Sequence, residues 1–123
     1  MEKPRNLVEY YQKLNTLGQT MYDQIRSLIF RVDIDVCETL FVSNPYYYLK
    51  SFEGIKPQRR PSIMLVYYKD HVNIFSVLIK PYKSKLMMYK VTDNDTLQIY
   101  YDKPLMNELL IEIFTKSLKP EDE

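Results

Sequence analysis

The sequence predicts an α+β domain: a long N-terminal helix, an antiparallel β-meander of four to five strands and a C-terminal helix. Three observations predict it. Apolar residues keep a helical period at both ends of the chain. Between about residues 30 and 101 they fall in short alternating or continuous runs. Turn-forming clusters separate those runs at hairpin distances.

From about Pro4 to Leu28, Leu7, Leu14, Met21 and Leu28 recur every seven residues, filled in by Tyr10, Tyr11, Leu17 and Ile25. Glu9, Gln12, Lys13, Thr16, Gln19, Thr20, Asp23 and Arg26 form the opposite face, with Glu9 and Lys13 spaced for an i,i+4 pair. The apolar stripe is broad, and Gly18 and Gln24 interrupt any narrow seam. It suits packing on a sheet better than a dimer zipper. Gly18 is the expected site of any bend, because glycine costs about 1 kcal/mol against alanine inside a helix.

The period then changes. Phe30, Val32, Ile34 and Val36 alternate with Arg31, Asp33, Asp35 and Cys37, the pattern of a half-buried strand. Residues 43–61 hold Asn44-Pro45, Gly54, Pro57 and Pro61 and are expected to form an irregular connection. So long a loop in a small domain is either functional or conceals a further element. Strands are expected over Ser62–Tyr68, Val72–Lys80, Lys85–Val91 and Thr96–Tyr101, with turns near Lys69-Asp70, Pro81–Ser84 and Asp93–Asp95. Ile63–Val66 is apolar on both faces, which predicts a central strand. In the last helix Leu105, Met106, Leu109, Leu110, Ile113, Phe114 and Leu118 make the apolar stripe. Asp102 or Lys103 is expected to cap it with Pro104 in its first turn, Glu112 and Lys116 are spaced for an ion pair, and Lys119-Pro120 ends it. An acidic tail follows at 120–123.

At 123 residues, 46% apolar and 27% charged, the chain is expected to fold as one domain, 1–123, with its own core. No apolar run reaches the ~18–20 residues of a membrane span, so no membrane role is expected. The start, Met-Glu-Lys-Pro-Arg-Asn, leads into polar-interrupted sequence, and no signal peptide is expected. One cysteine, Cys37, forbids an intrachain disulfide and points to a reducing compartment, cytoplasm or nucleus. The only glycines, Gly18 and Gly54, leave no room for a phosphate-cradling loop.

Charge is segregated although the net is +1. Residues 1–49 carry 5 Lys/Arg against 6 Asp/Glu, residues 50–90 carry 9 against 2, and residues 91–123 carry 3 against 8. The basic segment also holds Tyr67, Tyr68, Tyr82 and Tyr89, with Tyr46, Tyr47 and Tyr48 just before it. Such a block is built to meet something anionic: nucleic acid, an acidic protein, or the chain's own acidic part. The apolar stripe of the last helix faces the sheet, so Glu108 and Glu112 are expected to point away from the loop lysines, giving a dipolar domain.

Catalytic signals are weak. Asp33 with Asp35 could share a strand face, but the alternation around them already explains both; Asp93-Asn94-Asp95 is turn chemistry. His71, the only histidine, sits at a hairpin tip without a partner in sequence, and Cys37 on a patterned strand is more often a small core residue. Ser62 follows Arg59-Arg60-Pro61, a basic context a kinase could use, though an exposed loop explains it as well. No metal, no cofactor and no catalytic role is expected.

The first expectation is therefore a non-catalytic interaction module, an adaptor or subunit of an assembly. It would bind a protein partner through Tyr46, Tyr47, Tyr48, Phe52, Arg59 and Arg60, since tyrosine and arginine anchor interfaces. The alternative is RNA or single-stranded DNA, with Arg59 and Arg60 joined by Lys80, Tyr82, Lys83 and Lys85. A pI near 7.7 is low for a dedicated nucleic-acid domain. Self-association is compatible with either.

Overall fold

A computed structural model describes residues 3–120; the acidic tail expected beyond residue 120 lies outside them. The N-terminal periodic stretch forms two helices, α1 (Leu7–Gln12) and α2 (Thr16–Phe30). The break falls before Gly18, because the Asn15 side chain accepts the Gly18 N–H at 2.8 Å and starts a new helix there. The heptad from Leu7 to Leu14 therefore runs across a helix boundary. Leu17, expected in the stripe, is 62% exposed, while Met21, Ile25, Leu28 and Ile29 are buried.

The first strand is not where alternation placed it. Residues 31–35 turn, with Asp33 Oδ1 accepting the Asp35 N–H at 2.8 Å and Ile34 standing 96% exposed. Strand β1 runs Val36–Phe41 instead, and the supposed loop begins with a strand, β2 (Asn44–Leu49). Their hairpin closes on the Phe41–Asn44 pair through Val42 (φ 52°) and Ser43 (φ 65°). Two left-handed residues make the turn that matches strand twist, but a β-branched valine fits that region poorly. Replacing the pair (Val42→Asn with Ser43→Gly) is expected to raise stability by about 1 kcal/mol, measured as a higher urea midpoint. An unchanged or lower midpoint would count against the strain.

Strands β3 (Ile63–Tyr67) and β4 (His71–Phe75) follow as a second hairpin. The chain then leaves the sheet. Instead of a strand to Lys80 and a turn at 81–84, there is a short helix, α3 (Ile79–Tyr82), and a 3-10 turn at Lys83–Lys85. Ile79, Tyr82, Leu86 and Tyr89 are buried at helix-like spacing. Pro81 fits within this single turn because no helical N–H is required of it there. Strand β5 is only Lys90–Val91, at the edge, and β6 (Leu97–Tyr100) inserts between it and β4. The six-stranded antiparallel sheet has the order β1-β2-β3-β4-β6-β5, so it is a meander only through β4. β3 is interior as expected, fully buried on one face and half-buried on the other.

Helix α4 (Asn107–Leu118) starts later than expected, with Met106 as its N-cap and no side-chain cap. Tyr89 serves the approach instead: its hydroxyl donates to the Pro104 carbonyl at 2.7 Å and accepts the Met106 N–H at 2.8 Å. Glu112 and Lys116 do pair, at 3.9 Å. Helices α2 and α4 touch each other and share one core with Tyr47, Ile63, Leu65, Val72, Ile74, Leu97 and Ile99. These strand residues are alternate positions, so the helices cover one face of the sheet. The segment 50–62 covers part of the other face, and the rest stays open.

Candidate functional site

Strand pairing builds the open face. Thr39 pairs with Tyr46, Tyr46 with Met64 and Met64 with Phe75, one row across four strands. Phe41 joins the row, its ring centroid 5.1 Å from that of Tyr46. Phe41, Tyr46, Met64 and Phe75 form the floor of a cleft of about 800 Å³, within the ~300–1,000 Å³ typical of ligand clefts. One wall is Pro57–Ser62; the facing wall is the corner after β4, from Ser76 to Leu78 with Lys80. The end of α4 and the turn before β6 close the cleft. Ser76 Oγ and Ser117 Oγ lie 2.5 Å apart and tie that end of α4 to the corner.

The two expected residue sets meet here only in part. Tyr46, Arg59 and Arg60 of the first and Lys80 of the second line the cleft. Tyr47 is fully buried on the helix face, where its hydroxyl donates to Glu38 at 2.7 Å. Tyr48 is 8% exposed beneath the Arg60 guanidinium, and Phe52 packs half-buried against the core. Tyrosines 46–48 are thus strand residues rather than loop residues. Arg60 is committed, donating to the carbonyls of Ile55 (2.6 and 2.9 Å) and Glu53 (3.1 Å). Arg59 and Lys80 are exposed.

The lysines expected at a hairpin tip stand on the helical crossover. Tyr82 is buried, its hydroxyl donating to Glu112, with Lys85 and Lys116 each near its ring face at 5.6 and 5.7 Å. Lys83 bridges to Asp95 at 3.4 Å. The expected separation of Glu112 from the lysines is thereby corrected. The Tyr82 hydroxyl, with Lys116 and Lys85 nearby, holds the Glu112 carboxyl below its usual range. Part of the positive segment is screened within the fold, because α3 folds down onto α4 instead of projecting as a hairpin.

The other candidate groups lie apart. Cys37 on β1 and His71 on β4 are separated by two strands, about 14 Å at the usual spacing. His71 Nδ1 lies 2.7 Å from Asp70, and its ring is sandwiched between Tyr68 (4.8 Å) and Tyr100 (4.9 Å). That ladder fastens three neighbouring segments of the open face and occupies both faces of the imidazole. Asp93 is exposed beside Asp95 in the turn before β6. Among the described residues no cluster of three or more His, Cys, Asp or Glu side chains gathers around a metal position. No helix among them is long and apolar enough to cross a membrane.

Asp33 has a different task from the one its spacing implied. Its carboxylate bridges to Lys119 at 2.7 Å, beside the α4 end of the cleft. Lys119, then the Asp35 N–H, hold it below the ordinary carboxyl range. A carboxyl lowered in the folded state contributes stability above its unfolded value, and loses it as pH falls through the folded value. Asp33→Asn is expected to flatten that part of the acid limb when urea midpoints are followed from neutral pH down to about 2. A mutant tracking wild type throughout would refute it.

A second depression, about 810 Å³, lies between α2 and the segment before α4. Asp23 and Asp102 there are matched by Arg31 and Lys103, so charge selects nothing. Sequence reasoning missed Phe41, Met64 and Phe75 in the cleft floor. Their half-buried alternation was visible in part, but their convergence depends on strand order. Compared with known proteins, the chain matches no family model, no curated protein and no solved structure.

Proposed function

We propose that this protein is a non-catalytic interaction module that binds a protein partner in the cleft on its open sheet face. The observation that carries the reading is the cleft's construction: an apolar floor of Phe41, Tyr46, Met64 and Phe75 with arginine and lysine at its walls. Interface centres combine aromatic and methionine contacts with arginine in this way. The sheet and the helix layer hold the floor rigid, which reduces the ordering cost of association. The role fits an adaptor or a subunit in cytoplasm or nucleus. The alternative, RNA or single-stranded DNA, draws on the same Arg59 and Lys80.

A photo-crosslinking residue placed at Gln58 (exposed) or Val77 (84% exposed) tests the reading in cells, with Leu17 (62% exposed) on the helix layer as control. Discrete protease-sensitive adducts from Gln58 and Val77, absent from Leu17, are expected. Adduct mass distinguishes a second copy of this chain from another protein. Nuclease-sensitive adducts would favour the alternative, and no cleft-specific adduct would refute both.

A further inference from the structure

We infer that the cleft takes an acidic protein segment bearing one aromatic or aliphatic anchor; this rests on the reading of the cleft as a protein-binding site. Charge complementarity argues for the acidic part. Arg59 stands on one wall and Lys80 on the other, both exposed. Among the described residues the only carboxylate lining the cleft is Asp95, which is bridged to Lys83. At the α4 end Lys116, in the last helical turn, also lines the cleft and offsets the partial negative charge of that helix terminus.

The floor argues for the anchor. Tyr46, Met64 and Phe75 lie in one cross-strand row, with Phe41 tilted against Tyr46, so the apolar side chains adjoin along the floor. A single large side chain seated there is desolvated chiefly by the half-buried Phe41, Met64 and Phe75, backed by the buried Tyr46 ring, the setting in which interface anchors concentrate binding energy. Methionine in the floor adapts to either an aromatic or an aliphatic plug.

Nucleic acid is the weaker occupant for the same geometry. A single strand asks for a track of cations and open ring faces on which bases stack. Here Lys83 is held by Asp95, Tyr82 is buried, and the Arg60 guanidinium lies 4.0 Å over the Tyr48 ring. What remains is a cleft with an apolar floor and a cation on each wall.

The test is fluorescence polarisation with a labelled peptide of glutamate and serine around a central Phe-Leu pair. Comparison probes are the same peptide with Ser-Ser at the centre, its lysine-for-glutamate counterpart, and an oligouridine RNA. The acidic anchored peptide is expected to bind, to weaken with salt, and to lose about tenfold or more without its anchor. Arg59→Ser with Lys80→Ser is expected to weaken it by about tenfold or more, whereas Lys103→Ser on the other depression leaves it unchanged. Both cations are exposed, and an unchanged urea midpoint checks that the fold is intact. Equal binding of the lysine counterpart, tighter binding of the RNA, or indifference to the double substitution would overturn the inference. If cleft positions crosslink to protein but this peptide does not bind, the acidic-segment inference fails and the protein-binding reading stands. If no protein crosslinks there, that reading fails first.

Discussion

Tyr47→Ala is expected to remove about 3–5 kcal/mol of folding stability, a large part of the ~5–15 kcal/mol typical of a domain. Tyr47 is 0% exposed, with Glu38 and Ile63 as its cross-strand neighbours and the Phe30 ring edge-on at 6.1 Å. Truncation leaves a ring-sized cavity under α2 and removes the hydroxyl that Glu38 accepts from. Glu38 also takes the Arg26 guanidinium at 2.8 Å, so one carboxylate joins β1, β2 and α2. Burial, then the neighbouring Tyr67 and Glu38, push the Tyr47 hydroxyl well above its ordinary value, so it remains a donor at any physiological pH. Tyr47→Phe keeps the ring and loses the hydroxyl's bond to Glu38 and its interaction with the Tyr22 hydroxyl, for about 1.5–3 kcal/mol. Urea unfolding followed by far-ultraviolet circular dichroism separates the two variants. A wild-type midpoint for Tyr47→Ala would show that the core does not depend on this ring. The same result sets the terms for any alanine scan of the tyrosine triplet: at Tyr47 lost binding reports lost folding, whereas at exposed Arg59 it reports the surface.

That contrast marks how far the sequence can be read. The stripe ending in Leu118 and the Met21–Leu28 part of the N-terminal stripe were legible because each buries a face set by its own local period. Ile63–Val66 was legible because its unbroken apolar run fits an interior strand. The single long N-terminal helix was not, since Asn15 starts a second helix within it. Phe30–Val36 alternated just as well and formed no strand. Asp33 gave its carboxylate to Lys119 and the Asp35 N–H, and Ile34 was left in solvent. Period alone cannot weigh those competing bonds. Tyr46–Tyr48 were hidden for the opposite reason. Both faces of β2 are covered there, the helices over Tyr47 and the 50–62 segment over Tyr46 and Tyr48, so no alternation survives. At 79–89 the helix-like spacing of Ile79, Tyr82, Leu86 and Tyr89 was present, but Pro81 and Lys83-Ser84 read more readily as a hairpin turn.

The cleft was legible only in fragments. Arg59, Arg60 and Tyr46 stood out by composition, and Lys80 by charge. Nothing local joins them to Met64 and Phe75, which meet only once β2, β3 and β4 pair in register. Nor does composition tell a cation that faces solvent from one that holds the chain. Arg59 and Arg60 are adjacent and chemically identical, yet the fold assigns them different work.

Arg60→Ala is accordingly expected to release the 50–62 segment, with amide exchange there rising about thirtyfold, the equivalent of about 2 kcal/mol. The guanidinium donates to the carbonyls of Glu53 and Ile55 and lies 4.0 Å over Tyr48 and 5.9 Å from Tyr46. Charge-assisted hydrogen bonds of this kind contribute about 1.5–3 kcal/mol and a cation over a ring about 0.5–2 kcal/mol; partial exposure keeps the sum near the low end. The amides of Glu53, Ile55 and Arg59, each bonded within the segment, are the reporters. Tyr46 still donates to Pro57 at 2.8 Å, so the segment opens locally while the sheet stays folded. The urea midpoint should therefore move less than the exchange rates do. Arg60→Lys recovers little, because an ammonium cannot hold two carbonyls and a ring face at once. With the wall at Pro57–Ser62 loosened, the acidic anchored peptide should weaken as well, although Arg60 is already committed to its carbonyls. Arg59→Ser gives the complementary pattern: weaker peptide binding with exchange unchanged. Wild-type exchange in Arg60→Ala would mean that Tyr46 and Tyr48 alone hold the segment, and the division between a structural and a presenting arginine would fall.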